Sequence, residues 1–460
     1  LTKTSDIVIL GGGPGGYVGA LAAAVRGASV TLIERDRVGG TCLHRGCIPT
    51  KTLLATAHLA MSMSKSEVFA VKHKGFEIDF GALMKRKNDV VSRLEKGILA
   101  LLKKRKIELV SGQGKVVAPD TVEVESNGKT ERITASKGLI IATGSKPAMP
   151  SAIPFDGENI ITSDEALSLA RPPASLCIIG AGAIGFEMAE LFHAFGTEVT
   201  LVEALNGVLP TLDVDISKEA ARLLKRRKII AHTGTTAETF DAGPKKVRVE
   251  LGNGKTVEAE KVLVVIGRKP NTEDIEIDPP GLLQQNGFVA ADSTGKTGVE
   301  KLFAAGDVTG QLMLAHFASA QCSAAVVAAL GEEAHLDKNA VPGVVYTKPE
   351  IASVGLTEDA AKEAGHKVKS ARFDVRALGR AQAEDELIGF VKIIGDEESG
   401  RVLGMHIMAH GAGELIHEGA IAITKKLKVS DLAETVHAHP GFSESIEEAA
   451  HLWMGLPRHA

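Results

Sequence analysis

Short, unbroken hydrophobic runs alternate along this chain with longer stretches of helical periodicity. That is the pattern of parallel strands buried on both faces and separated by helices. Asp6 to Leu10 is the first such run. Gly11-Gly12-Gly13-Pro14-Gly15-Gly16 follows, and an alanine-rich helix is predicted from there to about Arg26. A second strand, Ser29 to Ile33, ends at Glu34. Strand, G-x-G-x-x-G turn, helix, strand and acid together make a dinucleotide-binding fingerprint. The glycines let the backbone approach a pyrophosphate, the helix N-terminus faces its charge, and the acid bonds the ribose hydroxyls.

The pattern returns. Leu176 to Ile179 is a predicted strand, Gly180-Ala181-Gly182-Ala183-Ile184-Gly185 the turn, and Glu203 ends the next strand. Glycines (11 to 180) and acids (34 to 203) keep one offset of 169 positions, which marks a repeated unit with two nucleotide sites. Leu101–Ile107 corresponds to Leu223–Ile229 at an offset of 122. Gly144, after a strand at Leu139 to Ala142, corresponds to Gly267, after Val262 to Ile266, at 123. The first unit is therefore longer by about 47 residues, all of them after Glu34. The basic ends of the 101–107 and 223–229 segments read as solvated helix C-termini, favoured by the helix dipole. Glu203 is followed by Ala204-Leu205-Asn206-Gly207, with no cation to receive a 2'-phosphate, so the second site is expected to prefer NAD to NADP.

The extra stretch contains Gly39-Gly40-Thr41-Cys42-Leu43-His44-Arg45-Gly46-Cys47-Ile48-Pro49-Thr50-Lys51. A disulfide needs Cα atoms within about 7 Å, whereas five steps of regular helix advance about 7.5 Å. A bonded Cys42–Cys47 pair therefore requires a turn or a distorted helix, which Gly46 permits. Pro49 suits the first turn of a helix whose N-terminal dipole, with Arg45 and Lys51, would favour a thiolate. A metal site would need a further Cys or His pair at ligand spacing, so none is expected. Cys177 and Cys322 read as small buried hydrophobes.

Further on, a strand from Leu302 to Asp307 ends in Gly-Asp, and Ala315-His316-Phe317 opens a long helix. Such an acid could bond the ribityl hydroxyls of a flavin, and such a helix end could stabilise negative charge on its ring. In the tail, His439 precedes Pro440 and so avoids helical geometry. Glu444 lies near a helix start capped by Ser443 or Ser445, from where it could turn back to orient the imidazole for moving thiol protons. Glu447-Glu448 reads as a solvated helix face. His406, His410 and His417 show no comparable arrangement.

Composition narrows the classes. A chain of 460 residues suggests about three domains. Lys+Arg 53 against Asp+Glu 57 leaves a net charge of -4, which gives no reason to bind nucleic acid or an anionic membrane. No apolar run reaches membrane-spanning length, and no signal peptide is evident. Four cysteines are too few for a disulfide scaffold and fit a reducing compartment, where a close pair is catalytic or metal-binding rather than structural.

These residues together resemble the pyridine nucleotide-disulfide oxidoreductase family, and within it the branch that oxidises lipoyl dithiols. The resemblance spans nearly the whole chain and rests on GGTCLHRGCIPTK (39–51), ATGS (142–145), GAGAIGFE (180–187), AAGDV (304–308), LAH (314–316), VVYTKPEIASVG (344–355) and HAHPGFSE (437–444). It implies an α/β architecture with two Rossmann-like domains for FAD and NAD and a C-terminal α+β dimerisation domain. The implied boundaries are 1–147 for the FAD domain with the redox pair, 148–272 for the NAD domain, 273–340 for a segment completing the FAD domain, and 341–460 for the interface. Cys47 would be the sulfur beside the flavin and Cys42 the interchange thiol. Lys51 and Glu187 would pair near the flavin, and His439, oriented by Glu444, would be the acid-base. FAD contacts would come from Gly11, Gly13, Pro14, Gly15, Gly16, Glu34, Arg35, Gly40, Thr41, Lys51, Thr143, Gly144, Asp307, Ala315 and His316. NAD contacts would come from Gly180, Gly182, Ile184, Gly185, Glu203 and Gly267.

The implied assembly is a homodimer in which His439 reaches the other subunit's cysteines. The implied partner is the lipoyl-bearing acyltransferase of a 2-oxo acid dehydrogenase complex or a glycine-cleavage carrier protein, in a bacterial cytoplasm or a mitochondrial matrix. Two departures stand out: His44 where the family commonly has Asn, and Gly441-Phe442 where it usually has Thr-Leu. Ala183 resembles the lipoamide enzymes, since glutathione-type relatives often carry Tyr there. The tail lacks the cysteine pair of mercuric reductases. The rival expectation is an NAD(P)H-dependent reductase of another disulfide or electrophile. A scaffold that kept the fold and lost the chemistry is opposed by the intact Cys42, Cys47, Lys51, His439 and Glu444.

Overall fold

The structure, a computed structural model, describes residues 2–459 other than 127, 244, 278 and 280. The chain forms two compact units. The first comprises residues 1–52, 81–148 and 267–338. Its parallel strands run in the order Glu108–Ser111, Val30–Glu34, Thr2–Leu10, Lys129–Ile141, with Leu302–Ala304 alongside the last. The antiparallel strands Gln113–Ala118 and Thr121–Ser126 extend this sheet. Ile7, Ile9, Leu32 and Ile140 pack in one core with Ala20 and Ala23 of the helix Pro14–Val25 and with Cys322 and Val326 of the helix Ala315–Ala329. Their neighbours Val8, Leu10, Ile33, Leu139 and Ile141 pack in another with Val116 and Val122. Burial on both faces is why these strands read as continuous apolar runs instead of alternating ones. A Cβ on Gly19 would lie 2.3 Å from the Cys322 sulfur, so a glycine facing a small thiol sets how closely the two helices approach. The strand expected over Leu302 to Asp307 stops at Ala304, because Gly306, at φ +79°, opens a 3-10 turn, Gly306–Thr309.

The second unit comprises residues 53–80, 149–266 and 339–460. It repeats the parallel pattern with Ile230–Thr233, Glu198–Glu203, Ser175–Ile179, Lys261–Val264 and Ile160–Ile161. A meander of Ala237–Ala242, Val247–Leu251 and Thr256–Ala259 shares its core. The C-terminal part is α+β. Its antiparallel sheet runs Gly343–Val345, Glu350–Gly355, Val402–Ala409, Phe390–Asp396, Val368–Asp374, and the helices Ala412–Thr424, Val429–Glu434 and Glu444–Met454 complete its core.

The basic segments are only partly solvated. Lys106 and Lys228 close their helices at φ +56° and +59° and are exposed, as expected of helix ends. Arg227, by contrast, is largely buried. It bonds the Glu190 carboxylate and the Lys348 carbonyl, and Glu190 also takes the His58 ring at 2.6 Å and the Lys348 N–H at 3.0 Å. Glu447 and Glu448 also depart from the solvated reading. Glu447 faces Arg458 at 2.6 Å, and the buried Glu448 takes the His459 ring at 2.9 Å.

A buried ion cluster ties the C-terminal sheet to the helix Val214–Arg226. Lys392, 2% exposed in the strand Phe390–Asp396, sets its ammonium 3.0 Å from Asp213, 2.7 Å from Asp215 and 3.0 Å from Glu358. Burial alone would lower the Lys392 pKa, but these three acceptors raise it above the ordinary lysine value. The Lys362 hydrogen bond and the Lys392 charge hold the Glu358 carboxyl at about 2 despite burial. A depressed carboxyl contributes stability that is present above its unfolded value near ~4.3 and lost as pH falls toward its folded value. Lys392→Met leaves three acids without their shared cation and is expected to cost about 3–5 kcal/mol. It should shift the urea midpoint accordingly and weaken the acid sensitivity between about pH 4 and 2. An unchanged midpoint would show that the cluster contributes nothing net.

Candidate active site

Both fingerprint turns fold alike. Gly11 and Gly180 take φ +107° and +108°, and their N–H groups donate to Ile33 O and Val202 O, each at 2.8 Å. A Cβ at Gly11 would sit 2.3 Å from Ala142 O, and one at Gly180 2.5 Å from Val265 O. At Gly16 and Gly185 it would strike the carbonyls of Gly11 and Gly180 at 1.7 and 1.9 Å. The two acids are held identically: Glu34 accepts from Gly12 N at 2.6 Å and Asp36 N at 2.8 Å, Glu203 from Ala181 N at 2.7 Å and Leu205 N at 2.9 Å. Gly182, and Gly144 and Gly267 of the first unit, face open space, and Ile184 is exposed in the first turn of the helix Ala183–Ala194. The glycines at 11, 16, 180 and 185 thus serve backbone closeness, whereas those at 144, 182 and 267 leave room for a ligand. These two properties are what a dinucleotide cradle requires.

The insertion forms two helices, Gly40–Arg45 and Cys47–Ser64, broken at Gly46 with φ −146° and ψ −112°. A break of this kind is what a bonded Cys42–Cys47 pair would require. Cys42 and Cys47 are free thiols. The hydrogen bond between the two sulfurs, then burial, pushes the Cys42 thiol well above its ordinary value, while the Lys51 charge and the Cys47 N–H pull the other way. Cys47 is the first residue of its helix, and Pro49 lies in that helix's first turn. The segment is fastened to the first nucleotide turn: Gly39 N–H donates to Gly12 O at 2.8 Å, and a Cβ on Gly40 would fall 2.8 Å from the Gly13 Cα. Thr41 follows Gly40 in the same short helix. Pro14 and Gly15 open the helix Pro14–Val25, with Gly15 close against Ala318 O. His44 turns its ring to the Val38 carbonyl at 2.8 Å.

Asp307 accepts from the Ser145 hydroxyl at 2.6 Å, and that hydroxyl accepts from Arg268 Nε at 2.6 Å. Thr143 donates to Asn271 O at 2.6 Å, and Asn271 returns a bond to Thr143 O at 2.9 Å. Ser145, Arg268 and Asn271 were not among the sequence candidates. Their signal was the pair of landmark glycines at 144 and 267, which place residues 145 and 268 together in the short ladder Ser145–Pro147 with Arg268–Pro270. Ala315 and His316 open the helix Ala315–Ala329 with Leu314 at its N-cap. Arg35 points to solvent, 3.8 Å from Asp274. Glu187 accepts the Tyr346 N–H at 2.9 Å.

The tail histidine and its acid meet. His439 Nδ1 lies 2.8 Å from one Glu444 oxygen, and the Gly441 N–H donates to the other at 2.8 Å. A carboxylate only accepts, so Nδ1 carries the proton and Nε2 is left as the base. Burial pushes the Glu444 carboxyl up, but the Gly441 and His439 hydrogen bonds outweigh it and leave it below its ordinary value. Ser443 occupies the N-cap without a side-chain cap bond, and the Ser445 hydroxyl bonds Phe442 O instead. His437 differs from His439. Its two nitrogens face Glu418 at 2.9 Å and Thr435 O at 2.8 Å, and the Glu418 bond raises its pKa, which suits a cation more than a base. The cysteine pair and the His439–Glu444 pair belong to different units.

The profile of the pyridine nucleotide-disulphide oxidoreductases matches residues 5–322, and that of their dimerisation domain matches residues 341–450. The chain belongs to this family. It is 39% identical to dihydrolipoyl dehydrogenase of Bacillus subtilis, over 97% of each chain. It is 40% identical to the mitochondrial dihydrolipoyl dehydrogenase of Pisum sativum, over 99% of this chain and 92% of that one. Among solved structures, LpdA of Mycobacterium tuberculosis superposes with a TM-score of 0.89 at 29% identity, over 98% of this chain and 99% of that one. The family's cofactors are FAD and NAD, and the two glycine cradles described above fit two such nucleotides. Among the described residues, no helix is long and apolar enough to cross a membrane.

Gly40→Ala tests the fastening of the redox segment. The new Cβ meets the Gly13 Cα at 2.8 Å on a residue at φ +54°. A cost of roughly 1–3 kcal/mol is expected at this contact. The purified variant should keep its far-ultraviolet circular dichroism but lose most of its flavin. Full flavin content would mean that the contact does not hold the cradle.

Proposed function

We propose that this chain is a dihydrolipoyl dehydrogenase. It would oxidise protein-bound dihydrolipoyl groups to lipoyl disulfide with NAD+ as the final acceptor. The carrying observation is the hydrogen-bonded Cys42–Cys47 pair, set across a helix break and fastened to the first dinucleotide turn. Such a pair has two separable jobs. Cys42 is the interchange sulfur and Cys47 faces the cofactor.

The residues act in sequence. His439 Nε2 takes a proton from a lipoyl thiol, while Glu444 steadies the imidazolium. The lipoyl thiolate attacks Cys42 of the oxidised pair, the Cys42–Cys47 bond breaks, and Cys47 leaves as thiolate. The second lipoyl sulfur, deprotonated in turn, displaces Cys42 and closes the lipoyl disulfide. The cysteine pair is then reduced by two electrons, with Cys42 protonated and its S–H directed at Cys47, the hydrogen-bonded arrangement described here. Bound FAD would supply the two-electron carrier chemistry that links this dithiol to NAD+. Glu203 and the neutral 204–207 segment support NAD over NADP. Lys51, whose charge reaches Cys42, and Glu187 complete the proposed flavin-side set.

We also propose the finer partition of 1–147 and 273–340 for FAD, 148–272 for NAD and 341–460 for the interface of a homodimer. The protein partner would be a lipoyl-bearing acyltransferase or a glycine-cleavage carrier, in a bacterial cytoplasm or a mitochondrial matrix.

Cys47→Ser should retain FAD while dihydrolipoamide oxidation falls at least ~10³-fold, since no disulfide can form. Near-normal turnover would overturn the proposal. In the wild type, kcat/KM with NAD+ should exceed that with NADP+ by roughly 10²-fold, reflecting the repulsion at Glu203. Faster reduction of glutathione disulfide or another acceptor than of lipoamide would favour a reductase of a different disulfide.

A further inference from the structure

We infer that Glu190 is a positioning residue for Glu187, the acid assigned above to the flavin side. The inference rests on that assignment and adds to it the group that sets the acid in place. The two carboxylates stand three residues apart on one face of the helix Ala183–Ala194, and both are buried. Each accepts a backbone N–H from the segment that follows the strand Gly343–Val345: Glu187 from Tyr346 at 2.9 Å, Glu190 from Lys348 at 3.0 Å. Only Thr347 separates the two donors, so a shift of Lys348 is passed directly to the N–H that orients Glu187.

Glu190 is itself held from several sides. One oxygen takes the His58 ring at 2.6 Å, and the other takes the Arg227 guanidinium together with the Lys348 N–H. Arg227 also donates to the Lys348 carbonyl. Both backbone polar groups of Lys348 are thus gripped, the N–H by the carboxylate and the C=O by the guanidinium that the carboxylate holds. The Lys348 side chain adds ties to the Ser62 hydroxyl at 2.9 Å and to Glu386 at 3.0 Å. Thr347, fully buried, closes the same turn by donating to Pro349 O at 2.8 Å. Apolar side chains of similar volume would fill such a place without the cost of desolvating a charge pair. What the charges add is direction. Three donors fix the Glu190 carboxylate, and that carboxylate fixes the peptide segment to which Glu187 bonds.

The test is a double-mutant cycle between Glu190→Gln and Glu187→Gln in the holoenzyme. The readout is the pH midpoint of the long-wavelength thiolate-to-flavin absorbance that develops on anaerobic reduction with one equivalent of dihydrolipoamide. Glu190→Gln alone is expected to move this midpoint by about half a unit or more, because a displaced Glu187 alters the charge on the flavin side. It should also lower kcat about tenfold with little change in KM. In the Glu187→Gln background the same change should move the midpoint by less than about 0.2 unit, since the group through which Glu190 acts is already neutral. Equal shifts in both backgrounds, or none in either, would overturn the inference. Lys392→Met is the control for lost stability, because it breaks a buried ion cluster of the same unit. It should leave the midpoint in place, and a shift as large as that of Glu190→Gln would refute the positioning role. Should Glu190→Gln fail to accumulate as flavoprotein, Arg227→Lys takes its place. That variant keeps the charge but loses the fork that spans Glu190 and the Lys348 carbonyl, and a wild-type midpoint there would sink the inference. A wild-type enzyme that develops no such band with dihydrolipoamide would count against the proposed function before any variant was compared.

Discussion

The close approach of four glycines is the constraint on which the first unit depends. Gly12 and Gly13, in the dinucleotide turn, meet Gly39 and Gly40, where the redox segment begins, through a backbone hydrogen bond and a contact that admits no Cβ. The turn itself closes only because Gly11 and Gly16 also lack side chains. The dithiol is thereby fixed to the same backbone that, under the proposed function, would cradle the cofactor phosphates. Its distance from the cofactor depends on covalent geometry and on a few hydrogen bonds, not on the packing of flexible side chains. Electron transfer between sulfur and a bound ring demands such preorganisation, because small displacements cost large factors in rate.

The repeat shows what the insertion added. Both units run strand, glycine turn, helix and strand to an acid held by two backbone N–H groups. In the second unit the chain goes on to the helix Val214–Arg226, whereas in the first it makes the broken helix pair bearing Cys42 and Cys47 before the helix Phe80–Lys104. The same scaffold thus appears once with a cysteine pair behind its glycine turn and once without. Gly46 is the local device that makes the difference. A continuous helix would hold the two sulfurs too far apart to bond, and the break at Gly46 brings them into hydrogen-bond contact.

Strands buried on both faces leave continuous apolar runs, and glycine turns leave fixed spacings, so the parallel sheets and both glycine turns were legible in the sequence. The cysteine pair was legible for a similar reason, since spacing and Gly46 together demanded a distortion. What stayed hidden lies in long-range polar contacts. Arg227 looks like any helix-terminal arginine, yet it is sequestered by Glu190, 37 positions away, and by the Lys348 carbonyl, 121 positions away. Lys392 sits in an apolar strand with no local sign that Asp213, Asp215 and Glu358 surround it. Glu447 and Glu448 read as solvated because their partners, Arg458 and His459, belong to the tail that folds back on them. Ser145 and Arg268 meet Asp307 only through a two-stranded ladder that no periodicity announces.

Charge is held in two ways in this molecule. At the nucleotide acids and at Glu444 the partner is a backbone N–H from a tight turn, and at the Cys42 sulfur the Cys47 N–H has the same role. Backbone donors carry no net charge and cannot change rotamer, so they orient an acid without quenching its ability to accept a further bond. Elsewhere opposite charge is added to such donors, as where Lys392 meets three acids and Arg227 meets Glu190. Such pairs fix structure but spend the acceptors they bind. His437 and His439, two positions apart, show the contrast within one loop. The first is enclosed by the Glu418 and Glu447 carboxylates and favours the cationic form, whereas the second sets Nδ1 against Glu444, a carboxylate that a glycine N–H also holds. Proton transfer under the proposed function would need the second arrangement: a base must be oriented and remain unspent, and in this loop the Glu444 carboxylate is the group against which His439 Nδ1 is set.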